Sequence, residues 1–255
     1  MKKSRGMYLL FACLLLTGFA SSQALAGEAP ASIYIVHGIP GHDLSTTLDP
    51  ALPVDIQVDG SICLVTGLKF GDIAGPFTIP ANTYSVAILA ANTVAPCTGT
   101  TLLGPASVTI TAGENASVVA YLSATGAPGV KKFENDLSPT PNGDSRLIVQ
   151  HTAAAPAVDI TVARDKNEYS EWPYARKIGV LRNVSNSQQA SPLIPSGAPN
   201  NFPLTQVTFT PAGATNPVIG PYFFQLVPHT AYLIYAVGSL STGSFTVISK
   251  AIPGV

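Results

Sequence analysis

Two histidines and two aspartates stand at matching places in this chain, and their types and spacing most invite chemistry. His37 ends the run Ser32-Ile33-Tyr34-Ile35-Val36-His37, which is followed by Pro53-Val54-Asp55-Ile56-Gln57-Val58. His151 ends Arg146-Leu147-Ile148-Val149-Gln150-His151, which is followed by Ala157-Val158-Asp159-Ile160-Thr161-Val162. A histidine beside a carboxylate can move a proton or contribute to a metal site. One of each falls short of the three or four ligands a zinc site needs. Parity also argues against the pairing. Each His continues the apolar face of its strand, whereas each Asp lies opposite the apolar face of its own. The favoured reading is a half-buried His satisfied locally and an Asp accepting loop amides. In the first copy His42, Asp43 and Asp49 add further oxygen and nitrogen donors near His37. They lack the dense spacing of a calcium loop and read as a solvated loop.

A second candidate is the stretch Asp165 to Lys177. It holds the only tryptophan of the chain, Trp172, with Tyr169 and Tyr174 and a cluster of charges. Exposed aromatics beside carboxylates can stack on sugar rings or anchor a protein, so these three are the candidate ligand-binding residues. Cys63 and Cys97 are the cysteines outside the N-terminal leader, and an even count in an exported chain predicts a disulfide between them. Motifs for an esterase elbow, a zinc protease or a phosphate loop are missing. No catalytic residue, metal ligand or cofactor is therefore assigned, and the expectation is that the protein is not an enzyme.

The elements that must position these residues are strands. Val54, Ile56 and Val58 alternate with Asp55, Gln57 and Asp59, and Tyr84, Val86 and Ile88 alternate likewise, as in strands with one buried face. Asp59-Gly60, Ala112-Gly113 and Asn142-Gly143 punctuate the runs as turns. With 22 Gly and 22 Pro, helices would be broken often. The His-to-Asp pattern and the strands after it recur as an internal repeat, with extra loop residues near 41–52 in the first copy and the 165–177 insertion in the second. These features predict an all-β chain of two tandem antiparallel, Ig-like β-sandwich domains, 27–135 and 145–255, joined by a polar linker, 136–144.

Residues 1–26 read as a secretory signal peptide: Lys2, Lys3 and Arg5, then an apolar run to Ala20, then Ala24-Leu25-Ala26 before the cut. The run is too short to favour a membrane span. Removing those three basic residues from 13 leaves ten against 14 acidic, a net of −4. With no basic stripe, nucleic acid is a poor partner. Charged residues are only 11% of the chain, against about 25% in ordinary domains.

The pattern of a strand ending in His, then Pro-x-Val-Asp-Ile, a Gly-Asp turn at Gly71-Asp72, and Ile79-Pro80-Ala81-x-x-Tyr84-x-Val86 resembles a bacterial exported family, the "domain of unknown function 4397". The resemblance covers nearly the whole mature chain as two copies and implies a secreted or surface β-sandwich module. It brings no established catalytic residues. The expected role is a non-catalytic module of the periplasm, cell surface or medium, engaged in adhesion or envelope interaction. A protein or a cell-envelope polysaccharide is its expected partner. A carbohydrate-binding module using Tyr169, Trp172 and Tyr174 is the alternative, and a metal-dependent hydrolase around His37 and Asp43 the remotest.

Overall fold

A computed structural model describes residues 28–164, 176–195, 204–216 and 219–255. The expected leader and residues 165–175 of the aromatic insertion lie outside the described residues, while Arg176 and Lys177 begin a strand. Strands β1 (Ala31–His37), β2 (Val54–Val58), β3 (Ile62–Leu68), β4 (Ile73–Ile79), β5 (Asn82–Ala90), β6 (Thr101–Ile110), β7 (Asn115–Leu122) and β8 (Pro128–Glu134) build a first sandwich. Strands β9 (Ser145–His151), β10 (Val158–Arg164), β11 (Arg176–Val184), β12 (Gln188–Ala190), β13 (Leu193–Ile194), β14 (Leu204–Pro211), β15 (Ile219–Gln225), β16 (Thr230–Val237) and β17 (Thr246–Pro253) build a second. One helical turn, α1 (Gly41–Leu44), sits in the loop after β1.

The two sandwiches share one plan. In the first, a sheet of order β4-β1-β7-β8 faces one of order β3-β2-β5-β6. In the second, β12-β9-β16-β17, with β13 also on β9, faces β11-β10-β14-β15. Neighbours run antiparallel, except that β1 lies parallel to β7 and β9 parallel to β16. The expected Asp59-Gly60 turn joins β2 to β3 with both residues at positive φ, 51° and 69°. The turn closes with the Ser61 amide donating to the Val58 carbonyl at 3.3 Å, and Val58 pairs with Ile62 across a three-residue loop.

The first and seventh strands do not alternate between core and water, and the reason is the packing of the two sandwiches on each other. Ile33 and Ile35 of β1 enter the first core, while Tyr34 and Val36 point the other way. They meet Ile148, Ala231, Leu233, Tyr235 and Val237 of the second sandwich, together with Val119 and Phe133 of their own. Every residue of β9 and of β16 is buried. A strand covered on both faces reads as a continuous apolar run, which accounts for Ile33 to Val36 and Tyr232 to Val237. The sheets therefore stack as four layers, and the central strands of the middle two are covered on both faces.

Polar groups enter this middle seam as a connected set. The Ser117 hydroxyl lies 2.7 Å from the Tyr235 hydroxyl and donates to Asn135 Oδ1 at 3.1 Å. Gln150 Nε2 donates to the same Asn135 oxygen at 3.1 Å, and Asn135 Nδ2 donates to Asn115 Oδ1 at 2.8 Å. Buried polar atoms are costly when unpaired, so the set fixes how the two sandwiches register. Burial pushes the Tyr235 phenol well above its ordinary range.

The chain around the seam is also tied down. Lys131 and Lys132 belong to β8. Lys132 pairs with Glu114, and Lys131 Nζ donates to the Ser187 carbonyl of the second sandwich at 2.7 Å. In the segment that follows, Asp136 pairs with Arg146, and Thr140 Oγ1 donates to the Val255 carbonyl at 3.1 Å. The extra loop of the first sandwich reaches across as well. Ser244 Oγ donates to Asp43 Oδ2, and the Gly238 amide donates to the Gly38 carbonyl at 3.1 Å.

Such a seam couples the two cores. The described sandwiches are expected to melt in one calorimetric transition. Leu233→Asp, which places a carboxylate in a site with no exposure, is expected to cost several kcal/mol and to split the melt into two. Two transitions in the unsubstituted protein would contradict the coupling.

Candidate functional site

The repeated histidines act as latches on loops. His37 is buried at the end of β1, and its Nε2 lies 2.9 Å from the Leu52 carbonyl. A carbonyl only accepts, so Nε2 carries the proton and Nδ1 is the acceptor facing the Ile39 amide at 3.5 Å. His151, at the end of β9, repeats the bond: Nε2 donates to the Pro156 carbonyl at 3.0 Å. Its Nδ1 is buried without a hydrogen-bond partner. In both sandwiches the ring thus holds the loop that leads into the next strand of the facing sheet. Burial pushes both imidazoles below their ordinary range. The Leu52 carbonyl and the Asp72 charge partly offset this at His37, as does the Pro156 carbonyl at His151.

The repeated aspartates cap bulges. Residues 54 and 56 pair with 68 and 65, and residues 158 and 160 pair with 184 and 181, so each partner strand carries extra residues opposite the Asp. The bulge residues Gly67 and Asn183 both sit at positive φ, 63° and 55°. Asp55 Oδ1 accepts the Gly67 amide at 2.9 Å, and Asp159 Oδ1 accepts the Asn183 amide at 2.8 Å. Asp55 does more, because its Oδ2 accepts the amides of Cys97 at 2.8 Å and Asn92 at 3.1 Å. Burial by itself raises the Asp55 carboxyl, but the three amides outweigh it and hold the group below the usual carboxylate range. Asp159 has instead the Arg182 guanidinium 3.7 Å away, on a side chain 76% exposed. Such a pair contributes little.

The difference between the two aspartates traces to the disulfide. Cys63 and Cys97 are bonded across a separation of 34 residues, with Cα atoms 5.7 Å apart. Closing that loop contributes about 3–4 kcal/mol in the chain-entropy account. It pins the β5–β6 loop over the outer face of β2, and this is why Asp55 is buried on a face where alternation alone would leave it wet. Within each pair, histidine and aspartate bond to different loops and not to each other. Among the described residues, no three His, Cys, Asp or Glu side chains gather closely enough to hold a metal ion. His42 is exposed, Asp49 Oδ1 caps the Ala51 amide at 2.8 Å, and Asp43 is engaged with Ser244. Tyr169, Trp172 and Tyr174 lie outside the described residues.

A feature that the sequence patterns did not single out lies inside the first sandwich. An apolar cavity of about 190 Å³ separates the two sheets, lined by Ile33, Ile56, Ile79, Val86, Val108 and Val118 among others. Its rim holds Ile62, which is 54% exposed, and Tyr84, whose hydroxyl donates to the Pro80 carbonyl at 2.8 Å. The second sandwich carries aromatics where the first has smaller groups. Val86 pairs with Ala106 and its counterpart Val207 with Tyr222, while Ile56 pairs with Ile88 and its counterpart Ile160 with Phe209. Phe209 there packs edge-on against Tyr222 and Phe245. The available signal was this contrast in aromatic content between the two sets of strands.

Two predictions follow from the latches and caps. Asp55→Asn removes the charge from a buried carboxylate that accepts three backbone amides. It is expected to destabilise by about 2–3 kcal/mol, clearly more than Asp159→Asn, in paired chemical denaturation curves; equal losses would contradict the capping account. For the histidines, a folded-state value below the unfolded one means that the unfolded chain binds more protons. Stability is then full above the unfolded value, near 6.5, and declines as the pH falls below it. The melting temperature is expected to drop between pH 7 and pH 5. The double variant His37→Gln and His151→Gln is expected to flatten that drop, and an unchanged slope would place the acid sensitivity elsewhere.

Comparison with known proteins agrees with this architecture. No curated protein matches the chain. A family model described as "Domain of unknown function (DUF4397)" matches residues 31–161, just over half of the chain. The match spans all of the first sandwich and runs through β9 into β10, so it takes in both histidines and both aspartates of the repeated pattern. The chain therefore belongs to the DUF4397 family.

Proposed function

We propose that this protein is an exported, non-catalytic module that works through the outer surfaces of its sandwiches, in adhesion or in contact with other envelope components. The observation that carries the reading is the occupation of the repeated histidines and aspartates. His37 and Asp55 spend their polar atoms on backbone groups, His151 spends its Nε2 on the Pro156 carbonyl, and Asp159 spends one oxygen on a bulge amide. The residues that most resembled an acid–base pair are thereby committed to loops and bulges. Export is supported by the leader-like start of the sequence and by the Cys63–Cys97 disulfide, which suits an oxidising compartment. Among the described residues no helix is long and apolar enough to cross a membrane. The net negative charge expected after removal of the leader argues against a polyanionic partner. The shared sheet order and the shared His and Asp roles support reading the second sandwich as a second copy of the family module.

Fractionation of the native host tests this. The expected product begins at Gly27, is recovered outside the cytoplasm with Cys63 and Cys97 resistant to alkylation, and crosslinks to an envelope component. Cytosolic recovery with free thiols would overturn export. A deletion strain with unaltered surface assembly, together with no crosslinked partner, would overturn the interaction role.

A further inference from the structure

We infer that the cavity in the first sandwich is a binding site for a small neutral apolar molecule, or for the hydrocarbon end of a larger one. Three observations carry this. The first is chemistry. The lining side chains are aliphatic apart from Tyr84, and its hydroxyl is already committed to Pro80. A water inside would find no two to four polar partners, and apolar cavities of about 150 Å³ stay dry and take up benzene. At about 190 Å³ this one is larger, which suits a ring or a short branched alkyl group. A polar or charged ligand would lose its hydration for nothing in return.

The second observation is access. Ile62 and Leu64 of β3 and Ile79 and Pro80 of β4 belong to the lining, and Ile62 is more than half exposed. The rim therefore lies at the β3 and β4 edges, where an apolar group can enter while a polar remainder stays in water. An apolar side chain at a water-facing rim is also what such a ligand would cover.

The third is the contrast with the second sandwich, which has the same sheet orders and so acts as an internal control. Val86, in the lining, pairs with Ala106, whereas its counterpart Val207 pairs with Tyr222. Ile56, also in the lining, pairs with Ile88, whereas its counterpart Ile160 pairs with Phe209. The plan thus accommodates an aromatic at both positions, and the first sandwich leaves that space to something else. Packing at native density normally leaves few voids larger than a water molecule.

Benzene is the probe. Titrated against the purified mature protein, it is expected to raise the melting temperature saturably and to give a one-to-one calorimetric isotherm. Phenol, with a hydroxyl that finds no partner inside, is expected to bind at least tenfold more weakly. Val108→Phe and Val118→Ile each enlarge a residue of the lining. Either is expected to raise the melting temperature without benzene and to weaken benzene binding tenfold or more, with the far-ultraviolet circular dichroism unchanged. If Val108→Phe fails to fold, Val118→Ile decides. No saturable response of the folded protein to benzene, or undiminished binding by a folded filled variant, would overturn the assignment.

Discussion

Every other feature of this structure depends on the desolvation of two sheets placed back to back. The sheet containing β1 and β7 and the sheet containing β9 and β16 each carry apolar side chains on both faces. One face of each is satisfied by its own sandwich. The other is satisfied only by the neighbouring sandwich, through Tyr34, Val36 and Val119 against Ile148, Leu233 and Tyr235. Hydrophobic attraction has no direction of its own, so it can hold these faces together without choosing a register. That choice falls to the polar set of Ser117, Asn135, Gln150 and Tyr235, whose bonds are lost if the sheets slide. The crossing loop around Asp43 and the ion pair of Asp136 with Arg146 then fix the periphery.

A division of labour follows among the layers. The inner sheets join the two halves, and the outer sheets present their far faces to solvent. The histidine latches stand where these tasks meet. Each lies at the end of an inner strand and holds the loop that climbs to the outer sheet. A buried neutral imidazole suits the place, because it offers a donor to a carbonyl without the desolvation cost of a charge. The aspartates stand on the outer sheets and serve a different need, the amides exposed wherever a strand bulges. That both devices occur twice ties them to the shared sandwich plan.

Much of the scaffold was legible in the sequence, because alternation and turn chemistry are local. The strands around Val54–Val58 and Val158–Val162 follow from period two, and the Asp59-Gly60 hairpin from its dipeptide. The loop bonds of His37 and His151 and the amide caps of Asp55 and Asp159 match the local roles read for them, but both rings are fully buried instead of half-buried, and His151 Nδ1 has no partner. The disulfide followed from cysteine count and compartment. What was not legible depended on distant segments meeting. Lys131 and Lys132 carry no local sign of their partners, yet from the edge strand β8 they reach Glu114 of the same sandwich and the Ser187 carbonyl of the other. Asp55 is buried because a loop 40 residues downstream in sequence folds over it. The cavity is a sum of side-chain volumes across two sheets, which no single window of sequence contains.

The seam also limits how this protein can be rearranged. Many β-sandwich proteins are strings of independent beads, and evolution or an engineer can add, delete or reorder the beads as cassettes. Here a cut between the halves would strip the cover from β1, β7, β9 and β16 at once. Each piece would present a flat, greasy sheet to water, the kind of surface that draws proteins into unwanted company. The smallest transplantable part is therefore the whole pair. A graft of one sandwich onto another scaffold would first need its inner face rewritten with polar residues.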